Sequence, residues 1–166
     1  MLRCLICVIV LLLACIPAAA ADSMEYEELY FDLLGRTGGP ESDAEFIELP
    51  VEVQNLYLAA ILDMEIQNGG LLQYFANCGP ESAARVSESL RAIGLEAMAD
   101  LYDEFLAGHE INPMDLSAFE CESVEDFIAL CERYPESDDF DNAYMELWQA
   151  LDFNAAMLAY AEENMR

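Results

Sequence analysis

Glycine and proline interrupt this chain at Gly35, Pro50, Gly69-Gly70, Gly79-Pro80, Gly94, Gly108 and Pro113, and the intervals between them carry apolar residues at helical spacing. From Met24, the residues Tyr26, Leu29, Tyr30, Leu33 and Leu34 recur every three or four positions with acids opposite. That pattern predicts an amphipathic helix stopped by Gly35. A loop is expected from Arg36 to Pro40, and Ser42 and Glu45 have capping-box spacing before a short helical turn. Pro50 suits a first helical position. After it, Val53, Leu56, Tyr57, Ala60, Ile61 and Met64 form a long apolar stripe ending at Asn68-Gly69-Gly70. Further helices are expected over Leu71 to Ala76, from Pro80 to Gly94, and from Leu95 to Gly108. Asn112-Pro113 marks a break, and Ser123 with Asp126 has N-cap spacing ahead of Phe127, Ile128, Leu130 and Cys131. Pro135 to Asp141 reads as an acidic connection before two last helices, carrying Tyr144, Leu147, Trp148, Leu151 and then Phe153, Ala156, Met157, Tyr160. No alternating β-branched run occurs. The expected fold is all-α, a single domain of about seven to nine short helices packed around one core.

The first 21 residues differ in kind. They hold no acid, one arginine (Arg3), an apolar run from Cys4 to Ile16, then Pro17 and alanines. A basic start, a short apolar stretch and a small-residue end form a secretory signal pattern, with cleavage expected after Ala20 or Ala21. Leu12-Leu13-Ala14-Cys15 offers a lipoprotein-type variant, with a lipid anchor at Cys15 in place of a membrane span. The expected division is therefore 1–21 as signal peptide and 22–166 as an acidic helical domain, placed outside the cytoplasm. Cys78, Cys121 and Cys131 stay with that domain. They allow at most one intramolecular disulfide, and without CxxC spacing they read as small buried apolar residues. His109 is the single histidine, so multi-histidine metal sites are excluded. No metal or other cofactor is expected.

The segment Glu65-Ile66-Gln67-Asn68-Gly69-Gly70-Leu71-Leu72-Gln73-Tyr74-Phe75-Ala76-Asn77-Cys78-Gly79 resembles the E-x-x-N-G-G-F-x-Q-Y-F-x-N-x-G signature of the bacterial DNA-mimic protein family. Leu71 stands where that family usually has phenylalanine. Leu90-Arg91-Ala92-Ile93-Gly94 is similar to its second landmark, L-x-x-I-G, and the likeness runs from about Val51 to the C-terminus. The resemblance implies an all-helical domain. It also implies a non-enzymatic module whose namesake is an acidic dimer that imitates duplex DNA on a transcription factor's DNA-binding face. A homodimer is thus one expectation. An exported chain cannot meet a cytoplasmic repressor, so the namesake's partner does not carry over. Read from the residues, Asn68-Gly69-Gly70 is a helix corner whose backbone groups Glu65, Gln73 and Asn77 can satisfy. The alternative is an enzyme, a hydrolase using a polar pocket at Glu65, Asn68, Gln73 and Asn77. That set lacks an evident nucleophile.

Charge decides the class of partner. The chain has 33 acids, six arginines and no lysine, for a formal net charge of -27. A phosphate backbone or an anionic membrane would be repelled. Without the leader, 33 acids face five arginines, a net charge of -28. Spread over roughly 7,400 Å² of surface, that is about one charge per 260 Å². Duplex DNA carries about one per 107 Å². Mimicry therefore requires the acids to gather on one face. Between Asp100 and Asp141, 14 of 42 residues are acidic against one arginine, Arg133. The candidate acidic binding surface is Asp100, Asp103, Glu104 and Glu110, then Glu120, Glu122, Glu125 and Asp126, then Glu136, Asp138, Asp139 and Asp141. The expected partner is a basic protein. The competing reading is an exported structural protein whose acids serve solubility alone.

Overall fold

The computed structural model describes residues 20–37, 46 and 48–165. The expected leader, the Cys15 lipidation site and the Ser42–Glu45 capping box lie outside them. Among the described residues there are seven α-helices and no strand. They are α1 (Ala20–Thr37), α2 (Val51–Asn77), α3 (Pro80–Ile93), α4 (Glu96–Gly108), α5 (Val124–Arg133), α6 (Ser137–Ala150) and α7 (Phe153–Asn164), with a 3-10 turn at Ser117–Phe119. None is long and apolar enough to cross a membrane.

The long stripe after Pro50 becomes the central helix. From Val53 to Ile66 every α2 residue but Met64 is buried, as expected of a helix surrounded by others rather than lying on a surface. Helices α1, α3, α6 and α7 pack around it, and α4 packs on α3 and α6. Leu56, Leu62, Leu71, Tyr74, Leu90, Met98, Tyr102 and Phe153 are among the fully enclosed side chains. Aromatic rings close the C-terminal end of α4. Phe105 meets Phe140, His109 lies between Phe105 and Tyr134, and Tyr134 stacks on Phe119. These contacts draw the end of α4, the end of α5 and the start of α6 together.

Several boundaries differ from the sequence expectation. Helix α1 continues through Gly35 to Thr37, because an exposed glycine weakens a helix without ending it. Pro50 is extended and precedes the helix, its carbonyl accepting from the Val53 and Gln54 N–H groups. Gly94 does end α3 in the left-handed region, and the Leu95 N–H donates back to the Leu90 carbonyl at 2.8 Å. At the end of α4, however, Gly108 is still helical, and Glu110 takes the left-handed position (φ 54°). The acidic stretch after Pro135 is no connection either, since Ser137 to Asp141 form the first turn of α6. Acids in a first turn complement the positive end of the helix. Ser123 caps α5 as predicted, its Oγ accepting from the Asp126 N–H at 3.1 Å.

Candidate functional site

The signature segment is a break in α2 held from both sides. Helical geometry fails at Gly69 (φ -166°, ψ 17°) and Gly70 (φ 85°, ψ 178°). Only Gly70 lies where side-chain-bearing residues are strained. A Cβ there would also collide with the Asp141 carboxylate. Asp141 enters from α6, and its Oδ1 accepts the Leu71 N–H at 2.9 Å. It thus caps the half-helix that restarts after the break. Across the corner, the buried Glu65 accepts at one oxygen, Oε2, from Gln73 Nε2 and from Asn77 Nδ2, both at 2.8 Å. Tyr74 and Phe75 point into the core, while Asn68 and Gly79 are exposed. Glu65, Gln73 and Asn77 therefore stitch the two halves of α2 together. They satisfy one another instead of presenting free groups to a substrate.

The acidic candidates fall into two groups. Asp100 and Asp103 face Arg91 of α3, each at 2.7 Å, and Asp103 also accepts from Ser87 Oγ. Asp126 is engaged at the α5 N-terminus by Ser123 Oγ and the Glu122 N–H, which hold its carboxyl below the ordinary range. Asp141 is half-buried and turned onto Leu71, and desolvation pushes its pKa up. The remaining eight, Glu104, Glu110, Glu120, Glu122, Glu125, Glu136, Asp138 and Asp139, are exposed. They occupy the end of α4, the segment leading to α5, α5 itself and the start of α6, the elements that the aromatic contacts bring together. No group of three or more potential metal ligands occurs among the described residues.

A family model described as DMP19-like protein matches residues 47–164, more than half of the chain. The chain belongs to the DMP19-like family. No curated protein and no solved structure gives a significant match. Helix α1 lies outside the segment that matches the DMP19-like model, yet it packs on α2 and α7.

That packing creates the most perturbed carboxyl group of this DMP19-like domain, one that sequence reasoning passed over. Asp63 of α2 is 2% exposed, and among the described residues it makes no ion pair. Its carboxylate accepts from Tyr26 of α1 (3.4 Å), Gln67 of α2 (2.8 Å) and Tyr144 of α6 (3.2 Å). The Trp148 indole also favours the charged form but completes no well-aligned hydrogen bond. Burial outweighs these donors and raises the carboxyl pKa from 3.8 to about 6. The signal available in the sequence was an acid inside the apolar run Ile61-Leu62-Asp63-Met64.

Among the described residues, Cys78, Cys121 and Cys131 form no disulfide. Cys78 is half-buried, and desolvation with Glu65 nearby pushes its thiol up to about 12. Cys121 is half-buried, and Cys131 is exposed, contrary to the expectation that all three would be buried. Cys131 faces outward because α5 buries only Leu130 fully. A cleft of about 150 Å³, lined by Glu120, Cys121, Asp126, Leu130 and Arg133 among others, separates the 3-10 turn from α5. It is smaller than ordinary small-molecule sites of about 300–1,000 Å³.

Proposed function

We propose that this DMP19-like chain is a non-enzymatic binding module that presents clustered carboxylates to a basic protein partner. Family membership carries the reading: the chain matches the DMP19-like model, and its Glu65–Gly79 segment resembles the signature of a group whose namesake imitates the charge of DNA. The exposed acids around the end of α4, α5 and the start of α6 support it. So does the shortage of compensating cations there, with Arg133 the one arginine between Asp100 and Asp141. Desolvated or internally paired acids, such as Asp141, Asp103 and Asp100, belong to the scaffold rather than to this surface. The leader pattern makes export part of the proposal, so the partner is a cationic protein met outside the cytoplasm. The Glu65 corner holds α2 together, and an enzymatic role for it is set aside.

Such a surface attracts cations over a distance set by ionic strength, about 10 Å at 0.1 M salt. Association should therefore be fast in low salt and slow steeply as salt rises. The test is capture of partners on the immobilised protein at low salt, followed by elution with duplex DNA or heparin. Basic proteins released by both polyanions are expected. Captured proteins that neither polyanion displaces would overturn the reading and leave the acids a solubility role.

A further inference from the structure

Helix α5 is apolar on two neighbouring faces, and the fold uses one of them. Phe127 and Leu130 mark the face against the body, with Tyr134 stacked on Phe119 just beyond the helix end. Roughly a quarter-turn away, Val124, Ile128 and Cys131 fall within about 60° of arc. This second stripe is open. Val124 is 72% and Ile128 54% exposed, and Cys131 is exposed as well. Elsewhere the large exposed apolar residues, Phe31, Val51, Met114 and Leu151, come singly on separate segments. Single ones need no explanation, whereas Val124, Ile128 and Cys131 form one contiguous open stripe on a single helix.

The surrounding charge says what fits. Glu125 and Glu132 run alongside the stripe, about another quarter-turn round the helix. Exposed Glu122 lies before its start and exposed Glu136 beyond its end. A second copy of this chain, itself at -27, would set acids against acids. A helix with apolar residues at i, i+4 and i+7 and cationic residues on its flanks meets both the stripe and its rim.

We propose that α5 docks a cationic amphipathic helix of a protein partner, with Val124, Ile128 and Cys131 as the apolar seat and Glu125 and Glu132 as the charged rail. The proposal rests on the acidic-module reading and adds the shape of the partner to it. It also makes binding partly independent of salt, because apolar contact is not screened as ion pairing is.

Two synthetic helical peptides of equal positive charge test it. One carries leucine at i, i+4 and i+7 among lysines, and the other has serine at those positions. Each is titrated into the protein and into the Val124→Ser/Ile128→Gln variant, at low salt and at 0.15 M salt. Both substitutions are at exposed sites, and unchanged circular dichroism confirms the fold. At 0.15 M salt the leucine peptide should bind the protein at least about tenfold more tightly than it binds the variant. The serine peptide should not distinguish the two. If both peptides bind at low salt but the variant holds the leucine peptide as well as the parent does, the docking face is refuted and the acidic-module reading stands. If neither peptide binds at low salt, both fall. A change in sedimentation mass between parent and variant would make the stripe a contact between copies, which also overturns the proposal.

Discussion

Replacing Asp63 with asparagine isolates the carboxyl group that the fold buries most deeply among the described residues. Burial raises its pKa from 3.8 to about 6. At about 1.4 kcal/mol per pH unit, the ionised group costs the native state roughly 3 kcal/mol at neutral pH. The sign follows from proton counting. Between pH 3.8 and about 6 the native protein keeps a proton that the unfolded chain has released. Stability from this group is therefore complete below pH 3.8, falls as pH rises, and is lost above about 6. Asparagine stays neutral throughout, and the hydroxyls of Tyr26 and Tyr144 can accept from its amide. Urea unfolding at fixed ionic strength gives both curves, and the other acids, common to both proteins, largely cancel in the difference. The unfolding free energy of Asp63→Asn minus that of the parent should climb by about 3 kcal/mol between pH 3.5 and pH 7.5. A difference flat to within about 0.5 kcal/mol would refute the reasoning. It would show that Tyr26, Gln67 and Tyr144 solvate the carboxylate as well as water does.

The break in α2 predicts that Gly70→Ala destabilises by about 2–4 kcal/mol, from a strained backbone plus collision with Asp141. Gly79→Ala, where a Cβ meets nothing within 4 Å, should stay within about 1 kcal/mol of the parent in the same denaturation assay. The cysteines should separate by reactivity. Iodoacetamide at pH 8, followed by peptide mass mapping, should modify exposed Cys131 at least about a hundredfold faster than Cys78, whose thiol burial has pushed up to about 12. Equal rates would contradict the burial of Cys78.

The candidate site was legible where chemistry is local. Ser123 with Asp126 announced a cap, and the cap is there. The Gly-Gly corner was legible, but Glu65, Gln73 and Asn77 bond one another rather than its backbone groups as expected, and Asp141 takes the Leu71 N–H instead. The acids were legible as a density but not as a surface. Nothing in the spacing of Asp138, Asp139 and Asp141 says that the first two are exposed while the third reaches back to the Leu71 N–H. Glu110 in the left-handed position is a similar case. The chain reversal there is closed by the Ile111 N–H donating back to the Leu106 carbonyl at 2.9 Å, while the nearby Gly108 stays helical.

By itself the sequence determined that this chain is helical, where most of its helices lie, and that it carries a large net negative charge, because periodicity and net charge are sums over neighbouring residues. Only the tertiary structure decided which apolar and acidic faces meet other elements. It enclosed Asp63 beneath Tyr26 and Tyr144, turned Asp141 inward, and left Val124 and Ile128 in water. A helical period states that a face is apolar. Whether that face is covered depends on residues as distant as Tyr160 is from Asn55, 105 positions away, and a local pattern carries no information at that range.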